Sequence, residues 1–223
     1  MFAQIAAIAK AGAAVEDKTM TANIFIDGEA GTTGLQILDR LGGRADIVFT
    51  HLGDDRRKDV NARRDALNGA DISILCLPDD EAREAVRNTK NTHTRFIDAS
   101  TAHRVNPDWT YGMPELMPGQ REAIASARLI SNPGCYPTGF LATVKPLISA
   151  GVLGHDALMS ISAISGYSGG GRQLIEKYES EGANWPARPY SLALKHKHVP
   201  EMAQYAGLST NPLFTPTVGH FYK

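Results

Sequence analysis

Asn23-Ile24-Phe25-Ile26-Asp27-Gly28-Glu29-Ala30-Gly31-Thr32-Thr33-Gly34 is the stretch whose reading decides the fold. A short apolar run ends in an aspartate and breaks into a glycine-rich turn. Residues 33–41 then follow with Leu35, Leu38 and Leu41 at helical spacing. Strand, glycine turn and helix N-terminus together form the place where free backbone N–H groups meet a dinucleotide pyrophosphate. The spacing is Gly-x-x-Gly-x-x-Gly rather than Gly-x-Gly-x-x-Gly, so the turn alone also fits glycines that serve only a tight bend and close helix packing.

Outward from this turn, Gly42-Gly43 stops the first helix, and residues 46–50, 71–77 and 95–98 read as further buried strands. Helical stretches at 60–67 and 81–88 lie between them, and 129–131 reads as the last strand of this half. Such alternation predicts a Rossmann-like parallel sheet with helices on both faces. After Pro137 a helix runs to about residue 149, with Pro146 expected to kink or end it. Strands at 158–165 and 217–222 and helices at 173–179 and 200–206 predict a second, mixed α/β domain. The expected division is an N-terminal extension at 1–19, a dinucleotide-binding domain at 20–134 and a catalytic and substrate domain at 135–223. The extension reads as a short helix or frayed tail, since Lys10 interrupts its apolar run and no basic segment precedes it, as a secretory signal requires. Met20, just before the first strand, suits an alternative translation start.

Composition narrows the class of partner. Lys+Arg 23 against Asp+Glu 24 gives a net charge of -1, which offers no field for nucleic acid or an anionic membrane. A small molecule is the expected partner. Two cysteines in 223 residues are not a disulfide framework, so a reducing cytoplasm fits.

The two cysteines read differently. Cys76 falls inside an apolar strand, where a thiol is a small hydrophobe. Cys135, in Ser131-Asn132-Pro133-Gly134-Cys135-Tyr136-Pro137-Thr138, stands between a strand end and a Pro-started helix, whose N-terminal N–H groups favour a thiolate. A nucleophilic thiol calls for an acid/base, and Lys195-His196-Lys197-His198-Val199-Pro200-Glu201 offers two imidazoles on alternating positions that can face one cleft. Two histidines and one carboxylate make a weak zinc set, and no metal is expected. Lys195 suits a phosphate or carboxylate. The loop Gly166-Tyr167-Ser168-Gly169-Gly170-Gly171-Arg172 can present N–H groups to an anion, with Arg172 placed for a bidentate contact. The second strand ends at Thr50-His51 without an acid for a ribose hydroxyl, and Arg56, Arg57 and Lys58 follow, which favours NADP over NAD.

These motifs, in order, resemble the N-acetyl-γ-glutamyl-phosphate reductase family of arginine biosynthesis in its shorter form. Three more stretches carry the resemblance: Asp98-Ala99-Ser100-Thr101-Ala102-His103-Arg104, Tyr111-Gly112-Met113-Pro114-Glu115-Leu116 and residues 165–172. The resemblance spans residues 22–222. It implies NADPH as reductant, Cys135 as nucleophile and His196 as acid/base, with His198 and Glu201 as supports. It places Gly28, Gly31, Thr32, Thr33, Gly34, Arg56, Ser168 and Gly169 at the cofactor. Ser100, Arg104, Asn132, Arg172 and Lys195 would face the substrate. It also implies a homo-oligomer, dimer or tetramer, with the subunit contact in the second domain. An aspartate-semialdehyde dehydrogenase-like reductase would use the same cysteine chemistry; a Cys/His hydrolase or a non-catalytic dinucleotide-binding protein would use only part of it. Family members continue beyond Lys223. Residues 217–222 are therefore expected to form an unsupported strand, and this polypeptide alone to be poorly stable or inactive.

Overall fold

The computed structural model describes residues 21–181 and 186–223, so the expected extension at 1–19 lies outside the described residues. The chain divides into two compact units, one ending at Gly134 and one beginning at Cys135.

In the first unit the elements are β1 (Ala22–Asp27), α1 (Thr32–Leu41), β2 (Ile47–Thr50), α2 (Val60–Gly69), β3 (Ile72–Leu75), α3 (Asp79–Asn88), β4 (Arg95–Asp98), β5 (Thr110–Tyr111), α4 (Gln120–Ser126) and β6 (Leu129–Ser131). The strands form one parallel sheet in the order β2-β1-β3-β4-β6-β5. Its two faces separate by the two-residue period of a strand. Ile24, Ile26, Ile74 and Ile97 pack with Ile37 and Leu41 of α1 and Ile124 of α4 on one face. Phe25, Leu75 and Phe96 pack with Leu67 of α2 and with Ala82 and Ala85 of α3 on the other. Burial on both faces is why these strands read as continuous apolar runs. Within α1 the packing stripe is Ile37 and Leu41, with Leu38 partly buried; Leu35 is exposed.

Polar groups finish the element ends. The Asp59 carboxylate accepts from Ala62 N at 2.9 Å and caps α2. The Arg95 guanidinium donates to the carbonyls of Ile124, Ala125 and Ala127 at 2.9 to 3.0 Å, satisfying the end of α4. Two elements here were not legible beforehand, β5 and α4.

The second unit contains α5 (Cys135–Ser149), β7 (Ser160–Gly166), a 3-10 turn (Tyr167–Gly170), α6 (Gly171–Glu181), β8 (Arg188–Pro189), α7 (Val199–Ala206) and β9 (Leu213–Gly219). Three expectations need correction. The helix after the cysteine begins at Cys135 itself, with Pro137 inside its first turn, where the missing N–H has no intrahelical partner to lose. It also continues through Pro146 to Ser149, because a proline in the last turn forfeits one bond while its own carbonyl still accepts from Ala150 N at 2.9 Å. The final strand starts at Leu213 rather than residue 217 and ends at Gly219. It is also supported on both sides: β9 is central, parallel to β7 and antiparallel to β8. Among the described residues no helix is long and apolar enough to cross a membrane.

Among the described glycines of the first unit, Gly28 has the closest approach to its neighbours. Its φ is +91°, and a Cβ there would lie 2.4 Å from the Cys76 carbonyl oxygen. Gly28→Ala is therefore expected to cost on the order of 2 kcal/mol or more of stability in urea unfolding, since strain and clash add. A loss of less than about 0.5 kcal/mol, the scale of an uninvolved surface change, would contradict so close an approach of β1 to β3.

Candidate active site

In the second unit, the start of α5 and the histidine segment converge on one side chain. Cys135 is exposed as the first residue of the helix. The next residue, Tyr136, donates its hydroxyl to Ser165 Oγ of β7 at 2.9 Å. Its ring meets His196 edge-on at 6.1 Å, His198 at 5.9 Å and Phe214 of β9 at 5.0 Å between centroids. The two imidazoles lie 4.6 Å apart, as alternating positions allow. Tyr190, whose phenol burial pushes upward and the Tyr136 hydroxyl raises further, packs against His196 at 5.6 Å.

One hydrogen bond orients the partly exposed ring. The backbone N–H of His198 donates to His196 Nδ1 at 3.1 Å. A ring nitrogen that accepts carries no proton, so neutral His196 holds its proton at Nε2 and acts as a donor there. His198 is the N-cap of α7, and Glu201 is buried in its first turn.

The other residues expected here take different positions. Arg172 pairs with Glu176 at 2.7 Å along α6, with both side chains exposed, and Lys195 is exposed. The backbone N–H of Ser168 donates to the Tyr222 carbonyl at 3.1 Å and that of Tyr167 to Phe221 at 2.9 Å, so the glycine-rich loop already uses two of its donors internally. Gly169 is exposed in the 3-10 turn.

In the first unit the glycine turn opens a cavity of about 400 Å³. Gly28, Glu29 and Gly31 of the turn line it, together with Arg57, Lys58 and Glu81. Arg57, Lys58 and Arg63 line it with positive charge, whereas Arg56 does not line it. Thr32 and Thr33 begin α1, whose N-cap Gly31 supplies no side-chain cap and whose first turn carries no acid. A Cβ at Gly34 would lie 2.6 Å from Glu29 Cα, so the helix sits directly on the turn. Bare helix N-terminus, cradle without side chains and nearby cations fit a dinucleotide pyrophosphate. Beneath the turn, Arg63 of α2 grips buried Asp27 with contacts of 2.9, 3.0 and 3.3 Å.

The loop after β4 is held by a buried carboxylate. Asp98 accepts from Ser100 N at 2.9 Å, from Ser100 Oγ at 2.8 Å and from His103 Nδ1 at 2.7 Å. His103 stacks on Trp109 at 4.0 Å. The Ser100 hydroxyl accepts from Ala102 N at 3.1 Å as well, so it orders the loop from within. Arg104 is buried and donates to the Ala99 carbonyl at 3.0 Å. Asn132 is fully buried, and its Oδ1 has no hydrogen-bond partner among the described residues. Among those residues no group of three His, Cys, Asp or Glu side chains could hold a metal ion.

Tyr136, Ser165, Tyr190, Asp27 with Arg63, and the Asp98–His103 pair escaped sequence reasoning. Of these, Asp27, Asp98, His103, Tyr136 and Ser165 stand in stretches quoted above, whereas Arg63 and Tyr190 carried no local signal.

The chain matches a family model described as the semialdehyde dehydrogenase NAD binding domain over residues 42–127, and one described as the semialdehyde dehydrogenase dimerisation domain over residues 135–223. It is 54% identical over 205 residues to a protein of Trichormus variabilis named N-acetyl-gamma-glutamyl-phosphate reductase, covering 89% of this chain and 64% of that one. A protein of a Chelativorans species with the same name is 55% identical over 203 residues, covering 91% and 66%. The chain thus spans a little under two thirds of the length of these curated relatives. Among solved structures, aspartate semialdehyde dehydrogenase II from Vibrio cholerae aligns with a TM-score of 0.61 over 91% of this chain and 71% of that one, at 15% identity. The aspartate semialdehyde dehydrogenase of Francisella tularensis gives 0.63 over 89% and 72%, at 12%. At such identities the likeness is one of fold.

Burial pushes the Cys76 thiol up to about 12, helped by the charges of Asp98 and Asp27. Iodoacetamide is therefore expected to modify Cys135 well before Cys76 in the folded protein, read by mass-spectrometric mapping of the labelled peptides. Equal labelling, or Cys76 first, would remove Cys135 as the reactive thiol.

Proposed function

Since the chain matches two semialdehyde dehydrogenase domain models, over residues 42–127 and 135–223, we propose that it belongs to that family and carries the working parts of an NADPH-dependent acyl-phosphate reductase. The proposed reaction converts N-acetyl-γ-glutamyl phosphate to N-acetyl-glutamate 5-semialdehyde and inorganic phosphate. The observation that carries this reading is the exposed Cys135 at the start of α5, beside a tyrosine whose ring meets both imidazoles. The choice of the glutamyl substrate over an aspartyl one rests on the name borne by relatives at 54% and 55% identity.

In this reading the Cys135 thiolate adds to the acyl carbonyl, the C–O bond to phosphate breaks, and a thioester is left on the sulfur. Sulfur is needed because its thioester keeps the carbonyl electrophilic. The His196 Nε2–H donates to the carbonyl oxygen as negative charge gathers there. The glycine turn and the α1 N-terminus, with Arg57 and Lys58 beside them, would hold NADPH, and the bound dinucleotide would supply the hydride for reduction of the thioester. The thiolate is expelled again as the aldehyde forms, so Cys135 is regenerated. His198 fixes the His196 ring through its backbone N–H, and Glu201 supports the segment from within α7. The second unit, which matches the dimerisation-domain model, would pair copies of the chain.

Cys135→Ser is expected to abolish aldehyde formation while leaving NADPH binding intact, because turn and thiol belong to different units. Normal turnover by the serine variant would end the reading. A Cys/His hydrolase would instead consume acyl phosphate or thioester without oxidising NADPH, which the absorbance of the reduced cofactor detects. His196→Asn is expected to lower turnover about a hundred- to a thousandfold, the range for loss of one oxyanion donor. A larger effect from His198→Asn would exchange the two roles.

A further inference from the structure

We propose that His51 selects the dinucleotide: by holding the Glu29 carboxylate it lets the turn cavity take a ligand with a phosphate on its adenosine ribose. The inference rests on the reading of NADPH as the reductant and adds to it which residues make the choice.

In a strand-turn-helix dinucleotide site, the end of the second strand reads the ribose. An acid there accepts from a hydroxyl, whereas cations accept a phosphate. By sequence the end of β2 holds no acid. The fold brings one from the turn: Glu29 Oε2 lies 2.8 Å from Nδ1 of His51, the residue after β2. Glu29 lines the same cavity as Arg57 and Lys58, so a carboxylate suited to a hydroxyl and cations suited to a phosphate share one space.

The remaining charges do not settle the competition. Asp27 and Arg63 neutralise each other beneath the turn. Glu81, from α3, adds a second negative group to the cavity, against the two cations. A phosphate entering here therefore meets a mixed field in which Glu29 counts against it. His51 changes that balance. Its Nδ1–H occupies one carboxylate oxygen, which leaves that oxygen less able to oppose a phosphate. The Glu29 side chain is 21% exposed and that of His51 57%, so substitutions in this pair should leave the core undisturbed.

The test measures dissociation constants for NADPH and NADH by calorimetry, independently of turnover, on the parent protein and on His51→Ala, His51→Lys, Glu29→Gln and the His51→Ala/Glu29→Gln double variant. His51→Ala is expected to weaken NADPH about two- to fivefold, the scale of an exposed charge interaction, with NADH changed much less. His51→Lys should hold NADPH at least as well as the parent. Glu29→Gln should weaken NADH relative to NADPH, and the double variant should recover parental NADPH affinity. An unchanged NADPH affinity in His51→Ala, or a double variant as weak as His51→Ala, overturns the proposal. A parent protein that binds neither dinucleotide overturns the NADPH reading itself and the proposal with it.

Discussion

The first unit depends on one close approach, that of Gly28 to the end of β3. Cys76 N donates to the Asp27 carbonyl at 2.8 Å, so β1 and β3 stay hydrogen-bonded up to the residue before the turn. Beyond it, any Cβ at Gly28 would overlap the Cys76 carbonyl, and the positive φ removes ordinary side chains a second time. The chain can then leave the sheet beside its central strand and start α1 almost at once, with Gly34 against Glu29. Because β1 lies between β2 and β3, this exit is where the strand order turns back, which is where open α/β sheets bind their ligands.

Around that opening the ends of β1 and β4 are organised by buried charge. Asp27 is matched by the Arg63 guanidinium, and Asp98 is held by hydrogen bonds from Ser100 and His103. Breaking a buried pair from one side costs roughly 3–5 kcal/mol, because the remaining charge is left without water or partner. Exposed pairs such as Arg83–Asp80 and Arg172–Glu176 contribute about 1 kcal/mol at most. The Asp27–Arg63 pair therefore holds the turn from beneath, while the surface pairs add little to its shape.

Elements that bury apolar runs on both faces, such as β1 and β4, were legible because the pattern is local. Two-residue strands were not: β5 and β8 exist only through their pairing with β6 and β9. The start of β9 was missed because Pro216 lies inside it; there the Pro216 carbonyl accepts from Tyr190 N at 3.0 Å. At the candidate site the same division holds. Cys135, His196 and His198 stand out by chemical type and by neighbouring prolines. Glu29 and His51 are 22 residues apart, Tyr136 and Ser165 29, and Tyr190 and Tyr136 54, so their meeting is a product of the fold.

The orientation of His196 bears on how one imidazole could serve both halves of the proposed reaction. Addition of sulfur to the acyl carbonyl and later addition of hydride to the thioester build negative charge on the same oxygen. A ring whose Nδ1 accepts from the His198 backbone presents Nε2–H in its neutral form, and it can donate to that oxygen in both steps without changing tautomer. Removing a proton from the thiol would require the opposite tautomer, with a ring N–H pointed at a backbone N–H. The geometry thus favours His196 as a donor to the oxyanion over His196 as a base for Cys135.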